Sequence, residues 1–341
     1  MNKKFYGQFI KEKTVQLIRQ FFLDQNFHEI ETPTLLPSLP LEPNLYPLKT
    51  TWTHKNKDFF FVTSPESGLK KLISQGIGNC FSIQKVVRDL EDLSPTHNLE
   101  FSMLEWYEIG KNYKDIAKTT QNLILYLHKG VQKYLGIRVS NILKYQDALI
   151  DLSLPWYSYT LEKLFQKFAN IDLNKNLTFS AIKKIASEKG YNTKDVTSWE
   201  PLYTQIFINE IESQLPTDKP VIIYDYPTQM SPLACRSLNE DGSPSDFSER
   251  FEFYIGGMEI GNAYTENTNS KDLLILTKKE LKFRQKNNLP THPFDIDFIE
   301  SCARLPECAG IGLGIDRLAM LFSDTANISD VLYFPTSKLL K

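Results

Sequence analysis

Gly310-Ile311-Gly312-Leu313-Gly314-Ile315-Asp316-Arg317-Leu318-Ala319-Met320-Leu321-Phe322 puts bare backbone and one arginine at a single point of the chain. Its three glycines fall on alternate positions, so in a strand they share one face and leave it free of side chains. A flat ligand fits on such a face. Leu318, Leu321 and Phe322 then take helical spacing, which predicts a strand-to-helix junction carrying Arg317, whose guanidinium suits phosphate. Taken alone, the pattern fits equally a glycine-rich packing strand that feeds a core helix.

Working outward, the 341 residues are 41% hydrophobic and 12% aromatic, enough to bury a large core. A single domain over 1–341 is expected. Lysine and arginine number 39 against 41 acidic residues, a net charge of -2, so no general attraction to nucleic acid is indicated. Cys80, Cys235, Cys302 and Cys308 form no C-x-x-C pair, which fits reduced thiols and a cytoplasmic location. No segment approaches the roughly 18 uninterrupted apolar residues of a membrane span, and no membrane partner is expected.

Phe9, Val15, Ile18 and Phe22 repeat at helical spacing between Gly7 and Asn26, and Phe27 to Glu31 reads as a short strand closed by Pro33. Phe59 to Thr63 reads as a strand; Ser64-Pro65 then supplies an N-cap and a first-turn proline for a helix through Ser74. Cys80 to Arg88 and Leu99 to Glu108 predict a hairpin with a long polar tip, Asp89 to Asn98. A helix over Lys114 to Tyr134 follows, then a mainly helical, solvated insertion at about 154–215. Val221 to Tyr226, Glu249 to Ile255 and Met258 to Glu266 bring strands back, the last two joined through Gly256-Gly257.

Within the hairpin, Phe101, Met103, Glu105 and Tyr107 alternate onto one face and combine a stacking ring, a carboxylate and a phenol. Such a face suits a base and an amine, with Arg88, His97 and Asn98 bracketing it as donors. A half-buried structural hairpin would show the same alternation. Glu252, Glu259 and Glu266 are carboxylates in a mostly apolar run, and the tight turn brings Glu252 and Glu259 within reach of one Mg²⁺. A strict period of two puts Glu259 opposite Asn262, Tyr264 and Glu266, so a bulge or twist is predicted near Gly261. Acidic residues guarding an edge strand are the alternative. His28, His54, His97, His128 and His292 show no metal-ligand spacing.

Taken in order, Phe27 to Pro33, Arg88 to Tyr107 and Gly310 to Phe322 resemble motifs 1, 2 and 3 of the class II aminoacyl-tRNA synthetases. Thr63-Ser64-Pro65-Glu66, His97-Asn98-Leu99-Glu100-Phe101, Arg250-Phe251-Glu252-Phe253, Glu259-Ile260-Gly261-Asn262 and Asp330-Val331 near Phe334-Pro335 are similar to the lysyl enzymes. The implied fold is α+β: an antiparallel sheet flanked by helices, dimeric through the motif 1 region. The oligonucleotide-binding barrel that reads the anticodon in those synthetases has no counterpart in this sequence. That truncated form resembles the elongation factor P lysine ligase branch, as do Asn288 to Asp295, Met103 to Tyr107, and Met258 where synthetases usually carry arginine.

The resemblance implies attack of lysine or (R)-β-lysine on ATP to give an aminoacyl adenylate, then transfer to a lysine of elongation factor P, with no tRNA. Arg88 and Arg317 would be catalytic, binding phosphate. Glu91, His97, Asn98, Phe101, Glu259, Ile260 and Gly314 would bind ATP with them, and Glu252 and Glu259 would hold Mg²⁺. Ser64, Glu66, Glu105, Tyr107, Asn262, Tyr264, Glu266 and Gly312 would line the amino-acid pocket. The loop between Arg88 and His97 is one residue longer than the pattern, Leu99 replaces a usual proline, Ala263 a usual glycine and Ser329 a usual arginine. Ser64 matches the ligase branch while Gly312 matches the synthetases, which leaves the lysine isomer open. A free-standing amino-acid ligase of the same fold, a silent sensor paralogue, and tRNA charging by the bare core are the competing readings.

Overall fold

In the computed structural model, which describes residues 3–340, the chain enters through helix α1 (Tyr6–Leu23). Its Ile10, Thr14, Ile18 and Phe22 point inward at one-turn intervals, as a one-sided apolar helix requires. Strand β1 (His28–Glu29), helix α2 (Glu66–Ile73) and strands β2 (Cys80–Val87) and β3 (Glu100–Ile109) follow, then helix α3 (Tyr113–Tyr134). Asn112 and Asp115 start α3 with a reciprocal capping box. At α2 the expected cap is shifted by one residue: Pro65 holds the N-cap position instead of the first helical one, and Ser64, one place earlier, accepts from the Glu66 N–H at 3.3 Å.

Further along, the elements that bear on the site are β4 (Tyr157–Thr160), α4 (Phe179–Glu188), α5 (Trp199–Ile206), β5 (Val221–Pro227), β6 (Arg236–Leu238), β7 (Pro244–Ile255), β8 (Met258–Thr265), α6 (Ser270–Lys286), α7 (Ile296–Cys302), β9 (Cys308–Gly314) and α8 (Ile315–Ser323), beside a small three-stranded sheet and a two-stranded one. Among the described residues, nine strands make one mixed sheet in the order β1-β2-β3-β9-β8-β7-β5-β4, with β6 beside β7. Only β1/β2 and β4/β5 pair in parallel. The hairpin β2/β3 and the strand-to-helix junction at Gly314 stand where the sequence places them.

Two faces of this sheet do different work, and the period of two separates them. Leu104 and Trp106 of β3, and Ile311 and Leu313 of β9, turn toward α1, α3 and α8 and join the main apolar core. Phe22 packs there on Phe81 and Trp106, ring centroids 5.0 and 5.1 Å apart. Met103, Glu105 and Tyr107 turn the other way, directly opposite Gly314, Gly312 and Gly310. Asn262 and Tyr264 of β8 flank the same glycines from the far side. The bare strand is thus the floor of a trough whose walls are functional side chains.

Gly256 and Gly257 turn β7 into β8 with φ of 60° and 78°, a two-residue turn that glycine adopts without strain. The ladder then slips: Tyr254 pairs with Glu259 and Phe253 with Gly261, so Ile260 is an extra residue. This is the bulge that the spacing required, and it brings Glu259 onto the face of Asn262 and Tyr264.

Residues 161–215 differ from expectation. They are helical, yet far from solvated: Leu161, Leu164, Phe165, Ile182, Leu202 and Ile206 bury a separate apolar cluster, with Trp199 and Tyr203 stacked at 4.8 Å. Tyr157–Thr160, expected as part of the helical stretch, is instead the outermost strand of the sheet. Two wide turns, Phe165–Ala169 and Phe207–Ile211, break the 3.6-residue period and hide the buried face from sequence reading.

The glycine floor is not uniformly intolerant. A Cβ at Gly310 would lie 2.3 Å from Tyr107 Cε1, whereas one at Gly312 meets nothing nearer than 3.7 Å. Gly310→Ala is therefore expected to cost about 1–3 kcal/mol in urea denaturation, and Gly312→Ala less than about 0.5 kcal/mol. Equal losses for the two variants would contradict this account of the floor.

Candidate active site

Two of the cavities beside the sheet stand out, and the expected residues gather in one of them. The larger, about 760 Å³, lies between loop 40–44, α5, α6 and α7 and is walled by leucines, prolines and aromatic rings. The smaller, about 320 Å³, lies over the glycine floor and gathers Ser64, Glu66, Arg88, Glu91, His97, Asn98, Phe101, Glu105, Tyr107, Glu259, Ile260, Asn262, Tyr264, Gly312, Gly314 and Arg317. The expected residues scattered from 64 to 317 therefore converge, with two exceptions: Glu252 and Glu266 are not in its lining.

One end of the small cavity is an acidic pocket whose carboxylates are buried. Tyr107 donates to Glu105 at 2.6 Å, and Tyr264 donates to Glu66 at 2.6 Å. Behind them Lys70, 1% exposed, bridges Glu66 and Glu266, the latter at 2.5 Å. Glu266 thus belongs to this pocket from behind its surface. Burial first, and then the charge of Glu66, holds the Glu105 carboxyl well above the usual range. Glu266 is pushed up to about 8 by burial and by its acidic neighbours, against the pull of Lys70. Asn262 Oδ1 and Glu266 Oε1 are buried acceptors with no donor. Such atoms are costly to leave unmade, and an organic ammonium would satisfy them.

The other end is cationic. Arg317, on the first turn of α8, donates to the Glu259 carbonyl at 2.8 Å and the Thr96 carbonyl at 3.3 Å. Its third nitrogen lies 2.7 Å from His97 Nε2. A guanidinium only donates, so Nε2 is the bare nitrogen and Nδ1 carries the proton toward Ser94 Oγ at 2.7 Å. Burial and the neighbouring Arg317 hold His97 below its ordinary pKa, which keeps it neutral. His97 therefore orients Arg317 with one nitrogen and is anchored through the other. Asn98 likewise spends its side chain on the backbone of Glu100 and Thr336. Arg88 donates to the Thr63 carbonyl at 3.4 Å and lies 5.1 Å from the Phe101 ring centroid and 3.6 Å from Glu91, in the lining of the cavity.

Glu252 and Glu259 face the same side of the β7/β8 ladder, since Glu252 pairs with Asn262 and the bulge realigns Glu259. Glu252 is already engaged: Arg250 donates to Oε1 at 2.6 Å, and Tyr226 and Tyr254 donate to Oε2 at 2.8 and 2.9 Å. Glu259 is far freer, its nearest cation being Arg317 at 4.0 Å. Burial and the charge of Glu252 push Glu259 up to about 7. A carboxylate has about four acceptor positions, so Glu252 retains one. Two hard-oxygen donors close enough to repel each other fit a Mg²⁺ that takes its other ligands from phosphate. Among the described residues no cluster of three or more His, Cys, Asp or Glu side chains could hold a metal by itself.

Two residues in and behind the cavity wall escape sequence reading. Lys70 stands one helical turn after Glu66, a spacing that also fits an exposed ion pair, and nothing local announces its burial. Glu42 lines the cavity from a proline-flanked loop, and its only signal is one acid among Leu39, Pro40, Leu41 and Pro43.

Residues 3–338 match the family model described as tRNA synthetases class II (D, K and N), and the chain belongs to that family. It is 32% identical over 333 residues to the lysine–tRNA ligase of Buchnera aphidicola subsp. Schizaphis graminum, covering 97% of this chain and 63% of that one. The lysine–tRNA ligase of Coxiella burnetii is 33% identical over 328 residues, 95% of this chain and 63% of the relative. That of Bacillus subtilis is 32% identical over 328 residues, 95% and 62%. The chain thus spans about 63% of the length of these curated relatives. The fold and the convergence of three separated motifs agree with the family. No helix among the described residues is long and apolar enough to cross a membrane.

The acidic end gives a signed prediction. An ammonium entering beside Glu105 and Glu266 lowers their raised pKa values, so it displaces protons near pH 7. Affinity for an organic ammonium should rise between about pH 6 and 8, by up to roughly tenfold per unit for each proton displaced. Titration calorimetry in buffers of different ionisation enthalpy reads that release. A pH-independent affinity would contradict it. The same linkage acts on the unliganded fold: a buried carboxyl with a raised pKa stabilises it fully below about 4.5, and that contribution is lost as pH rises through about 8.

Proposed function

We propose that this protein activates lysine, or (R)-β-lysine, with ATP as an aminoacyl adenylate and transfers it to a lysine side chain of elongation factor P. The observation that carries the first half is the charge layout of one small cleft: unsatisfied buried acceptors at one end, Arg88 and Arg317 at the other, bare backbone between. A lysine-sized cation laid along the glycine floor puts its amines among Glu66, Glu105, Asn262 and Glu266 and leaves its carboxylate facing the arginines.

In the first step the carboxylate attacks the α-phosphorus and pyrophosphate leaves. Arg88 and Arg317 meet the charge that grows on the phosphoryl oxygens, and Phe101 offers a face for the adenine. Arg317 is held by two carbonyls and His97, so little reorganisation accompanies the reaction. Glu259, with the remaining acceptor position of Glu252, would hold a Mg²⁺ that neutralises the departing pyrophosphate.

The acceptor is argued from the resemblance of Asn288 to Asp295, Met103 to Tyr107 and Met258 to the elongation factor P ligases. Two observations fit. Asp295 caps α7 and binds Lys71 at 2.7 Å, so the first segment braces the helix that carries Glu66 and Lys70. A net charge of -2 offers no broad basic face to a polynucleotide. A Cβ at Gly312 would meet Glu105 and Met103 only at 3.7 Å, ordinary contact, so the floor admits either lysine isomer.

The test is to incubate the protein with ATP and either lysine isomer, with elongation factor P or purified tRNA as acceptor, and to weigh the products. A mass gain of one lysyl group on elongation factor P is expected. An unchanged factor with both isomers overturns the acceptor assignment, and aminoacylated tRNA at a comparable rate replaces it.

A further inference from the structure

Loop 39–46 is tied down more firmly than a surface loop needs to be. Leu39 forms an isolated bridge with Phe294, its N–H donating to the Pro293 carbonyl at 3.3 Å while the Asp295 N–H donates back to the Leu39 carbonyl at 3.2 Å. Arg284, fully buried in α6, donates to the Glu42 and Leu45 carbonyls and lies 4.6 Å from the Tyr46 ring centroid. The Asp89 N–H closes the far end on the Tyr46 carbonyl at 2.7 Å. The backbone around Glu42 is therefore held from three directions. Its carboxylate, in contrast, accepts no hydrogen bond from the described residues and lines the small cavity.

The groups around that carboxylate mark its place. Glu66 and Lys70 belong to the acidic end, with Tyr264 and Glu266 also close enough to feel its charge; Arg88 belongs to the phosphate end, and Arg250, the partner of Glu252, adds a further positive charge. Glu42 lines the same cavity as both ends and feels the charge of groups from each. Ground-state binding of the cation already has Glu66, Glu105 and Glu266, and the phosphates have the arginines. One step of the proposed reaction is left without a group: the attacking amine reaches the site as an ammonium and has no lone pair until it loses a proton.

We propose that Glu42 is the proton acceptor for the incoming ε-ammonium in acyl transfer, an inference that rests on the adenylate-forming function above. The ammonium gives one proton to the Glu42 carboxylate, and the freed lone pair attacks the acyl carbon. The bond from that carbon to the phosphate oxygen breaks, and AMP leaves with the electron pair. The second N–H proton departs on the AMP phosphate, so the amide forms with one proton on Glu42 for return to solvent. Burial and Glu66 push Glu42 up to about 7, against Lys70, Arg88 and Arg250, which matches a base to neutral pH.

The test compares two nucleophiles on Glu42→Gln, which keeps shape and removes the base. Hydroxylamine is a neutral amine near pH 7 and needs no deprotonation before attack. The variant is expected to keep ATP–pyrophosphate exchange and lysine hydroxamate formation within about threefold of the parent, while transfer to the ε-amine of elongation factor P falls about 100-fold. Parent-like transfer to the ε-amine would overturn the proposal and leave adenylate formation intact. Loss of exchange and hydroxamate together would overturn it too, by assigning Glu42 to substrate binding. Absence of exchange in the parent protein would instead remove the underlying function, and the proton acceptor with it.

Discussion

Three carboxylates, Glu66, Glu105 and Glu266, share one buried region with a single fixed ammonium, that of Lys70, and this imbalance organises the site. Charges removed from water are expensive unless paired, so the unliganded pocket holds protons that an exposed pocket would release. A cation entering the pocket would supply the missing charge. Lys70 sets the remainder: by bridging Glu66 and Glu266 it fixes two carboxylates in place and leaves Glu266 Oε1 and Asn262 Oδ1 for the ligand. Tyr107 and Tyr264 lock the geometry further by donating to Glu105 and Glu66.

That cluster forms only because the sheet permits it. Tyr107 lies so close over Gly310 that any side chain there would collide, and Gly261 approaches the Gly312 carbonyl in the same way. Glycine at these positions removes side chains where backbone and rings must meet. The bulge at Ile260 is the second requirement, since without it Glu259 would point away from Asn262 and Tyr264. The phosphate end and the amine end therefore depend on one register, set by β3, β9 and β8.

Much of this was legible from periodicity. Alternating glycines, the Phe101 to Tyr107 face and the Gly256-Gly257 turn are local signals, and the bulge followed from a conflict between period and chemistry. The buried groups were not legible, because burial is a tertiary property. Lys70 has the spacing of a surface ion pair, and Glu42 sits in a loop whose position depends on Arg284, far away in sequence. Glu252 was foreseen as a metal ligand, but its engagement by Arg250, Tyr226 and Tyr254 comes from strand pairings that sequence alone does not show. In residues 161–215 the wide turns shift the helical phase, so a buried face reads as a solvated one.

The most direct measurement of the central claim is a crystal structure with a sulfamoyl analogue of lysyl adenylate, in which a sulfamoyl group stands in for the phosphoryl centre. The side-chain ammonium should lie within hydrogen-bond distance of the Glu105 and Glu266 carboxylates, the sulfamoyl group should face Arg88 and Arg317, and the adenine should lie on Phe101. An analogue seated in the larger apolar cavity beside α6 and α7, or one whose ammonium stands clear of Glu105 and Glu266, would contradict the account.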